Sequence, residues 1–180
     1  ASKVDSIRNA KMIYISGGDQ NRFMDIVAGT AIEKAIHDCY ANGGLIAGTS
    51  AGAAVMSKLM ITGNELKHPD RTLRNIEADN VEIGKGLGML TNVIIDQHFV
   101  WRGRYNRFIS AIIEHPKMLG IGIDEATAIL VNGNTAEVIG DSQVIVLKNP
   151  KHSKNKHGDK LGAHDLQLNV YLPGEQFKLN

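Results

Sequence analysis

Cysteine is almost missing from this 180-residue chain, with Cys39 the single example. One thiol closes no intrachain disulfide and fits no Cys-rich zinc pattern, so the fold needs no oxidising compartment. An excess of charge is missing too: 20 Lys and Arg face 19 Asp and Glu, a formal +1. That balance gives the whole molecule no field to steer it to nucleic acid or to an anionic membrane, and any charge-based recognition has to be local. No apolar run approaches the roughly 20 residues of a membrane span. Only four prolines occur, and no repeat or low-complexity segment is visible. Neither an initiator Met nor a signal peptide opens the chain, so Ala1 reads as a processed or truncated start, with the cytoplasm as the expected location. What is present is an ordinary globular composition at a length suited to one domain, 1–180, that buries well over half its unfolded surface.

Hydrophobic patterning predicts an α/β fold, a mostly parallel sheet flanked by helices that turns to antiparallel hairpins near the C-terminus. Met12 to Ile15 is apolar at every position, as in a central strand covered on both faces. Ile32, Ala35, Ile36 and Cys39 fall at helical spacing and are stopped by Asn42-Gly43-Gly44. Leu45 to Ala47 is a short strand, followed by a tight Gly-rich turn and a helix-compatible stretch to about Met60. Thr62 to Lys85, with His68-Pro69-Asp70, shows no period and reads as a long surface excursion. Val93 to Ile95 and Leu119 to Ile123 are buried strands on either side of an amphipathic helix marked by Tyr105, Phe108, Ile109, Ile112 and Ile113. Asn132-Gly133 and Gly140-Asp141 separate three later β-rich runs. Lys148 to Lys160, with five Lys, reads as a mobile solvated loop.

Gly48-x-Ser50-x-Gly52 between a strand and a helix is a nucleophile-elbow pattern, in which small neighbours let the chain turn so sharply that the serine hydroxyl stands exposed. Gly-rich turns of this kind also bind phosphate, although the Lys of a P-loop is missing. The N–H of Ala51, at the start of the following helix, is placed to hold an oxyanion. Of seven histidines, His98 is the best-placed base because it follows a buried strand, where the ligand crevice of an open α/β sheet lies. His37, His68, His115, His152, His157 and His164 read as capping or solvated residues. Asp96 beside His98 hints at a metal, but no third ligand stands at a recognisable spacing, so none is expected. Asp124-Glu125 ends the next strand and offers a carboxylate to orient His98; spacing alone does not separate the two. Arg102, Arg104 and Arg107 supply planar forks for carboxylates, and Asp19 and Asp96 offer acceptors for guanidinium groups. Trp101 either packs or stacks on a guanidinium.

Six strings occur in order over most of residues 11 to 150: SGGDQNR from Ser16, GTSAGA from Gly48, GKGLGML from Gly84, IIDQHF from Ile94, RGRYNRF from Arg102 and GIGIDEATA from Gly120. Together they resemble the serine peptidase family that contains cyanophycinases and bacterial aspartyl dipeptidases. The resemblance implies a triad of Ser50, His98 and Glu125 on a sheet related to class I glutamine amidotransferases, with no cofactor. It implies an oxyanion site made by Ala51 with Gly18 or Asp19, and a substrate pocket of Gln20, Asp96, Gln97, Arg102, Arg104 and Arg107. The implied substrate is cyanophycin, a poly-aspartate bearing arginine on each side-chain carboxyl, cut to β-Asp-Arg dipeptides. The expected assembly is a homo-oligomer, a dimer, in which an N-terminal segment of at least two strands, continuous or a separate fragment, completes the sheet. Two rivals remain: a dipeptidase acting on small Asp-containing peptides with the same triad, and a non-catalytic module holding an anion in its Gly-rich turns. A general α/β-hydrolase fits less well, because its acid precedes its histidine in the chain.

Overall fold

The computed structural model describes residues 2–68 and 74–180. Ser2 and Asp5 cap the first helix, α1 (Lys3–Arg8), reciprocally: the Ser2 hydroxyl accepts from the Asp5 N–H and the Asp5 carboxylate accepts from the Ser2 N–H. Arg8 then ties α1 to Asp38 at 3.2 Å. Strand β1 (Met12–Ile15), helix α2 (Gln20–Val27), helix α3 (Ala31–Ala41) and strand β2 (Leu45–Gly48) form a crossover unit in which β1 and β2 pair in parallel, Ile15 opposite Gly48. Helix α3 follows its sequence pattern, with Thr30 as N-cap, Ala35, Ile36 and Cys39 buried, and the chain leaving through Gly43 at φ +87°.

The expectation that Met12 to Ile15 is buried on both faces is corrected by the structure. Ile13, Ile15 and Ile46 pack on Met24, Val27 and Ile36, but Met12, Tyr14 and Leu45 are 51%, 61% and 49% exposed on the other face. After β2 comes α4 (Ala51–Ala54), a single turn rather than a helix to Met60. The carbonyls of Val55, Met56 and Ser57 that would prolong it accept instead from the N–H groups of Leu87, Leu90 and Gly88. Gly86 makes this possible: a Cβ there would lie 2.1 Å from the Ser57 carbonyl oxygen. Strands β3 (Leu59–Glu65) and β4 (Val81–Lys85) pair antiparallel, so the predicted excursion over 62–85 begins and ends as sheet, with Ile61 and Val81 buried. Its Pro69 and Asp70 lie outside the described residues.

The rest of the chain runs β5 (Val93–Gln97), α5 (Tyr105–Glu114), β6 (Leu119–Ile123), β7 (Thr127–Asn132), β8 (Thr135–Gly140), β9 (Val144–Lys148), β10 (Asn155–His157), β11 (Lys160–Gly162), β12 (Gln167–Tyr171) and β13 (Gln176–Lys178). A four-stranded sheet in the order β12-β9-β6-β5 is covered by α5 on one face and by the antiparallel β7-β8-β13 sheet on the other. The α/β class holds, but pairing is mixed rather than mostly parallel: among the strands of the described residues, only β1–β2 and β5–β6 pair in parallel. Gly120 and Gly122 bring Phe108 and Phe99 directly onto β6, since a Cβ would meet their rings at 2.6 and 2.5 Å. Burying each of these rings contributes about 1.5–3 kcal/mol.

The lysine-rich segment is also more ordered than expected. Residues of β10 and β11 form a hairpin whose Leu161 is buried against Ala78 and Ile113. Lys151, Lys154, Lys156 and Lys160 each meet a carboxylate, on Asp165, Glu114, Asp79 and Glu77. Neighbouring acids turn a run of like charge into a docked element.

Candidate active site

The ends of β2, β5 and β6 converge. At the end of β2 the chain turns through Ser50 at φ +53° and ψ −116°, a conformation that costs a non-glycine residue about 1–3 kcal/mol. The flanking glycines are demanded by contact: a Cβ on Gly48 would lie 2.2 Å from the Gly52 carbonyl oxygen, and one on Gly52 would lie 2.1 Å from that of Ile15. The turn therefore exists only because both positions lack a side chain, and it lifts Ser50 to the sheet edge.

His98 leaves the end of β5, itself at φ +52°. Its Nε2 lies 2.8 Å from Ser50 Oγ, and its Nδ1 lies 2.5 Å from Glu125 Oε1. With Nδ1–H donating to the Glu125 carboxylate, Nε2 is left as the acceptor for the serine hydroxyl. Asp124, the adjacent carboxylate, faces elsewhere. Its Oδ1 accepts from the Trp101 N–H at 2.9 Å and its Oδ2 from the Ser142 hydroxyl at 2.8 Å. Burial works to raise its pKa, but these hydrogen bonds prevail and hold its carboxyl below the ordinary value.

The Gly17-Gly18 loop after β1 closes on the same point. A Cβ on Gly17 would come within 3.3 Å of the Ser50 Cβ, and Gly18 sits at φ +136°. The Asp19 side chain caps α2, accepting from the N–H groups of Asn21 and Arg22. Gln20 reaches away, its side-chain amide donating to the carbonyls of Ile61 and Thr62 at 3.1 and 2.9 Å. Both Asp19 and Gln20 thus hold the α2 end in place.

The arginines divide by depth. Asp96, 1% exposed, receives the Arg107 guanidinium through both oxygens, with Arg107 Nε 2.7 Å from Oδ2. Asp96, read from sequence as an acceptor for a guanidinium, here receives the chain's own: α5 buries it, and Arg107 balances its charge. Arg104 lies above the pair, its Nη1 3.5 Å from Asp96 Oδ1, and donates to the Gln97 carbonyl at 2.7 Å and to the Gln97 side-chain oxygen at 2.5 Å. Burial pushes its pKa down to about 10, with Arg107 adding to the effect, so it remains a cation at neutral pH. Arg102 is exposed. A cavity of about 500 Å³ opens beside Ser50, bounded by Gln97, His98 and Glu125 at one end and by Tyr14, Leu45 and Ile129 along its wall.

Two supporting residues went unpredicted. Ser57, fully buried, accepts the Ile95 N–H at 3.0 Å and so links the chain after α4 to β5. Ser142 braces Asp124. Neither has a local sequence signal, because each meets a partner distant in the chain.

A family model described as peptidase family S51 matches residues 1–139. The curated cyanophycinase of Geminocystis herdmanii is 36% identical over 179 residues, 95% of this chain and 63% of its own. That of Trichormus variabilis is 36% identical over 182 residues, 97% of this chain and 59% of its own. The chain thus spans about three fifths of the length of these relatives. Among solved structures, a peptidase from an acI-B1 Actinobacterium superimposes with a TM-score of 0.67 at 25% identity, over 97% of this chain and 62% of that one. A putative peptidase E protein from Listeria monocytogenes shares the fold, with a TM-score of 0.52 at 20% identity over 77% of this chain and 64% of its own.

Proposed function

The chain belongs to peptidase family S51, and from that premise we propose that it is a serine exopeptidase that hydrolyses cyanophycin to β-Asp-Arg dipeptides. The observation that carries this reading is the continuous relay from Ser50 Oγ through His98 to Glu125, at 2.8 and 2.5 Å. Ser50 Oγ attacks the backbone peptide carbonyl beside a β-linked residue while His98 Nε2 takes its proton. The resulting oxyanion lies against the Ala51 N–H and one from Gly18 or Asp19. As the C–N bond breaks, His98 returns the proton to the leaving amine; water, deprotonated by the same base, then releases the acyl group from Ser50. Glu125 holds the tautomer and stabilises the imidazolium.

Each repeat of cyanophycin presents a carboxylate and a guanidinium. Arg104 and Arg102 are the receptors for carboxylate, while the buried Asp96–Arg107 pair and Gln97 set the Arg104 fork in position. Cyanophycin is also the substrate implied by the name of the curated relatives. The decisive experiment is incubation with purified cyanophycin followed by mass analysis. β-Asp-Arg is the expected product, lost by orders of magnitude in Ser50→Ala, whose alanine suits the tight turn. Near-normal turnover by Ser50→Ala would refute the covalent mechanism, and cleavage of Asp-Xaa dipeptides without the polymer would make this a dipeptidase.

The working unit in this proposal is larger than the described strands. The exposed apolar face of Met12, Tyr14 and Leu45 supports a covering segment, in this proposal at least two strands carried by the same polypeptide or by a separate fragment; the proposed assembly is a homodimer and its proposed location the cytoplasm.

A further inference from the structure

Trp101 is the chain's only tryptophan and is 79% exposed, the most exposed large apolar side chain among the described residues. Among the described residues it joins no core cluster, so of the two roles open to it from sequence the structure favours stacking over packing. The backbone beneath it is fixed. The Arg102 N–H returns to the His98 carbonyl, the Gly103 N–H to Val100 and the Arg104 N–H to Phe99, each at 3.0 Å, and the Trp101 N–H itself is held by Asp124. The indole therefore stands on a tight turn between the candidate base, His98, and the carboxylate receptors Arg102 and Arg104. A rigid turn presenting one bare indole in water is a prepared surface, because no ordering of the backbone is left to be done on binding.

Resting on the proposed peptidase reading, we infer that Trp101 is a specificity-determining residue, a platform on which a guanidinium of the substrate stacks while Arg102 or Arg104 takes the neighbouring carboxylate. The flat π-face attracts a planar cation, and a guanidinium, weakly hydrated, gives up little in leaving water. Arg102 and Arg104 repel an isolated cation from this turn. A zwitterionic repeat, whose carboxylate satisfies them, brings its guanidinium in without that penalty.

The test compares the full chain with Trp101→Leu and Trp101→Phe on two soluble β-aspartyl oligopeptides, one bearing arginine and the other citrulline, which keeps the shape and removes the charge. Trp101→Leu is expected to lower kcat/KM about three- to tenfold for the arginine peptide and to leave the citrulline peptide unchanged, with Trp101→Phe retaining most of the preference. Fluorophosphonate labelling of Ser50 should proceed at the same rate in all three proteins. Equal loss on both peptides, or loss on neither, overturns the inference. A second measurement needs no turnover: the indole N–H resonance, assigned by its absence from Trp101→Phe, should shift on titration with β-aspartyl-arginine and not with β-aspartyl-citrulline. If neither peptide is cleaved but the shift is seen, the peptidase reading falls and the platform stands; without the shift, the platform falls.

Discussion

The two halves of the molecule that supply the candidate site are built to different standards of cover. Every residue of β5 and β6 is buried, with α5 on one face and the β7-β8-β13 sheet on the other. In β1–β2 only one face is covered, and Met12, Tyr14 and Leu45 project into water. His98 and Glu125 come from the covered half and Ser50 from the bare one, so the hydrogen bond between Ser50 and His98 spans the junction. The two halves share no strand pair among the described residues. They are joined by α4, whose Ala53 packs on the core of the covered half, and by the Ser57 hydroxyl, which accepts the Ile95 N–H. Catalytic geometry thus depends on how rigidly a half-exposed unit is held against a packed one.

The largest expected effect separates the two carboxylates of the covered half. Glu125→Gln should lower kcat about 10³- to 10⁴-fold by favouring the wrong His98 tautomer. Asp124→Asn should cost less than about tenfold, because Asp124 braces Trp101 and Ser142 rather than His98. Steady-state kinetics of the pair decides the matter, and the reverse order would move the orienting acid to Asp124.

Next in size are two glycines, one in each half. Gly52→Ala forces a Cβ to within 2.1 Å of the Ile15 backbone oxygen, whereas Gly120→Ala meets the end of the Phe108 ring at 2.6 Å. A ring can shift and a paired strand cannot. Gly120→Ala is expected to cost about 1–3 kcal/mol, the usual penalty of overpacking, and Gly52→Ala more than that. Chemical denaturation of both variants tests the order; a smaller loss at Gly52 would mean that the β1–β2 half yields easily.

The same division governs what could be read from sequence. Strands β5 and β6 and helix α5 are legible because burial on both sides of a sheet, or on one stripe of a helix, writes a pattern within a few residues. The elbow is legible because Gly48 answers to Gly52, four residues on, and Gly52 to Ile15 of the neighbouring strand, and both demands are written into one short string. What stays hidden depends on partners far along the chain. Met56 to Met60 has a helical composition, but Gly86 to Leu90 takes its carbonyls. Val81 to Lys85 lacks any period until Leu59 to Glu65 lies beside it. Asp96 and Arg107 have the residue types of a substrate pocket, and only the packing of α5 shows them paired with each other and buried.

The bare face offers a smaller and conditional effect. In the 180-residue chain alone, Tyr14→Ser should change stability by no more than about 0.5 kcal/mol, as for an ordinary surface site, and that chain should be less soluble and less active than a longer polypeptide carrying the proposed cover. In a longer polypeptide carrying the proposed covering segment, the same substitution should cost about 2–4 kcal/mol as a core truncation. Equal small effects in both proteins would show that Tyr14 stays in water, and a soluble, fully active 180-residue monomer would remove the need for any cover.

The smallest expected effect lies in acid and belongs to the covered half. Asp124 has a carboxyl pKa below its ordinary value, so the folded state binds fewer protons than the unfolded chain in the interval between the two values. Its contribution to stability is fully present above the unfolded carboxylate pKa, near 4, and is lost as pH falls through the lower, folded value. Asp124→Asn does not titrate, so its stability should decline less steeply than the parent's below about pH 4. Ser142→Ala, which removes one of the hydrogen bonds that lower the pKa, should fall between them. Thermal melts from pH 6 down to pH 3 read the effect as converging midpoints. Parallel curves for all three proteins would mean that the hydrogen bonds in the fold favour the Asp124 carboxylate no more than water does, and that the turn carrying Trp101 owes nothing to its charge.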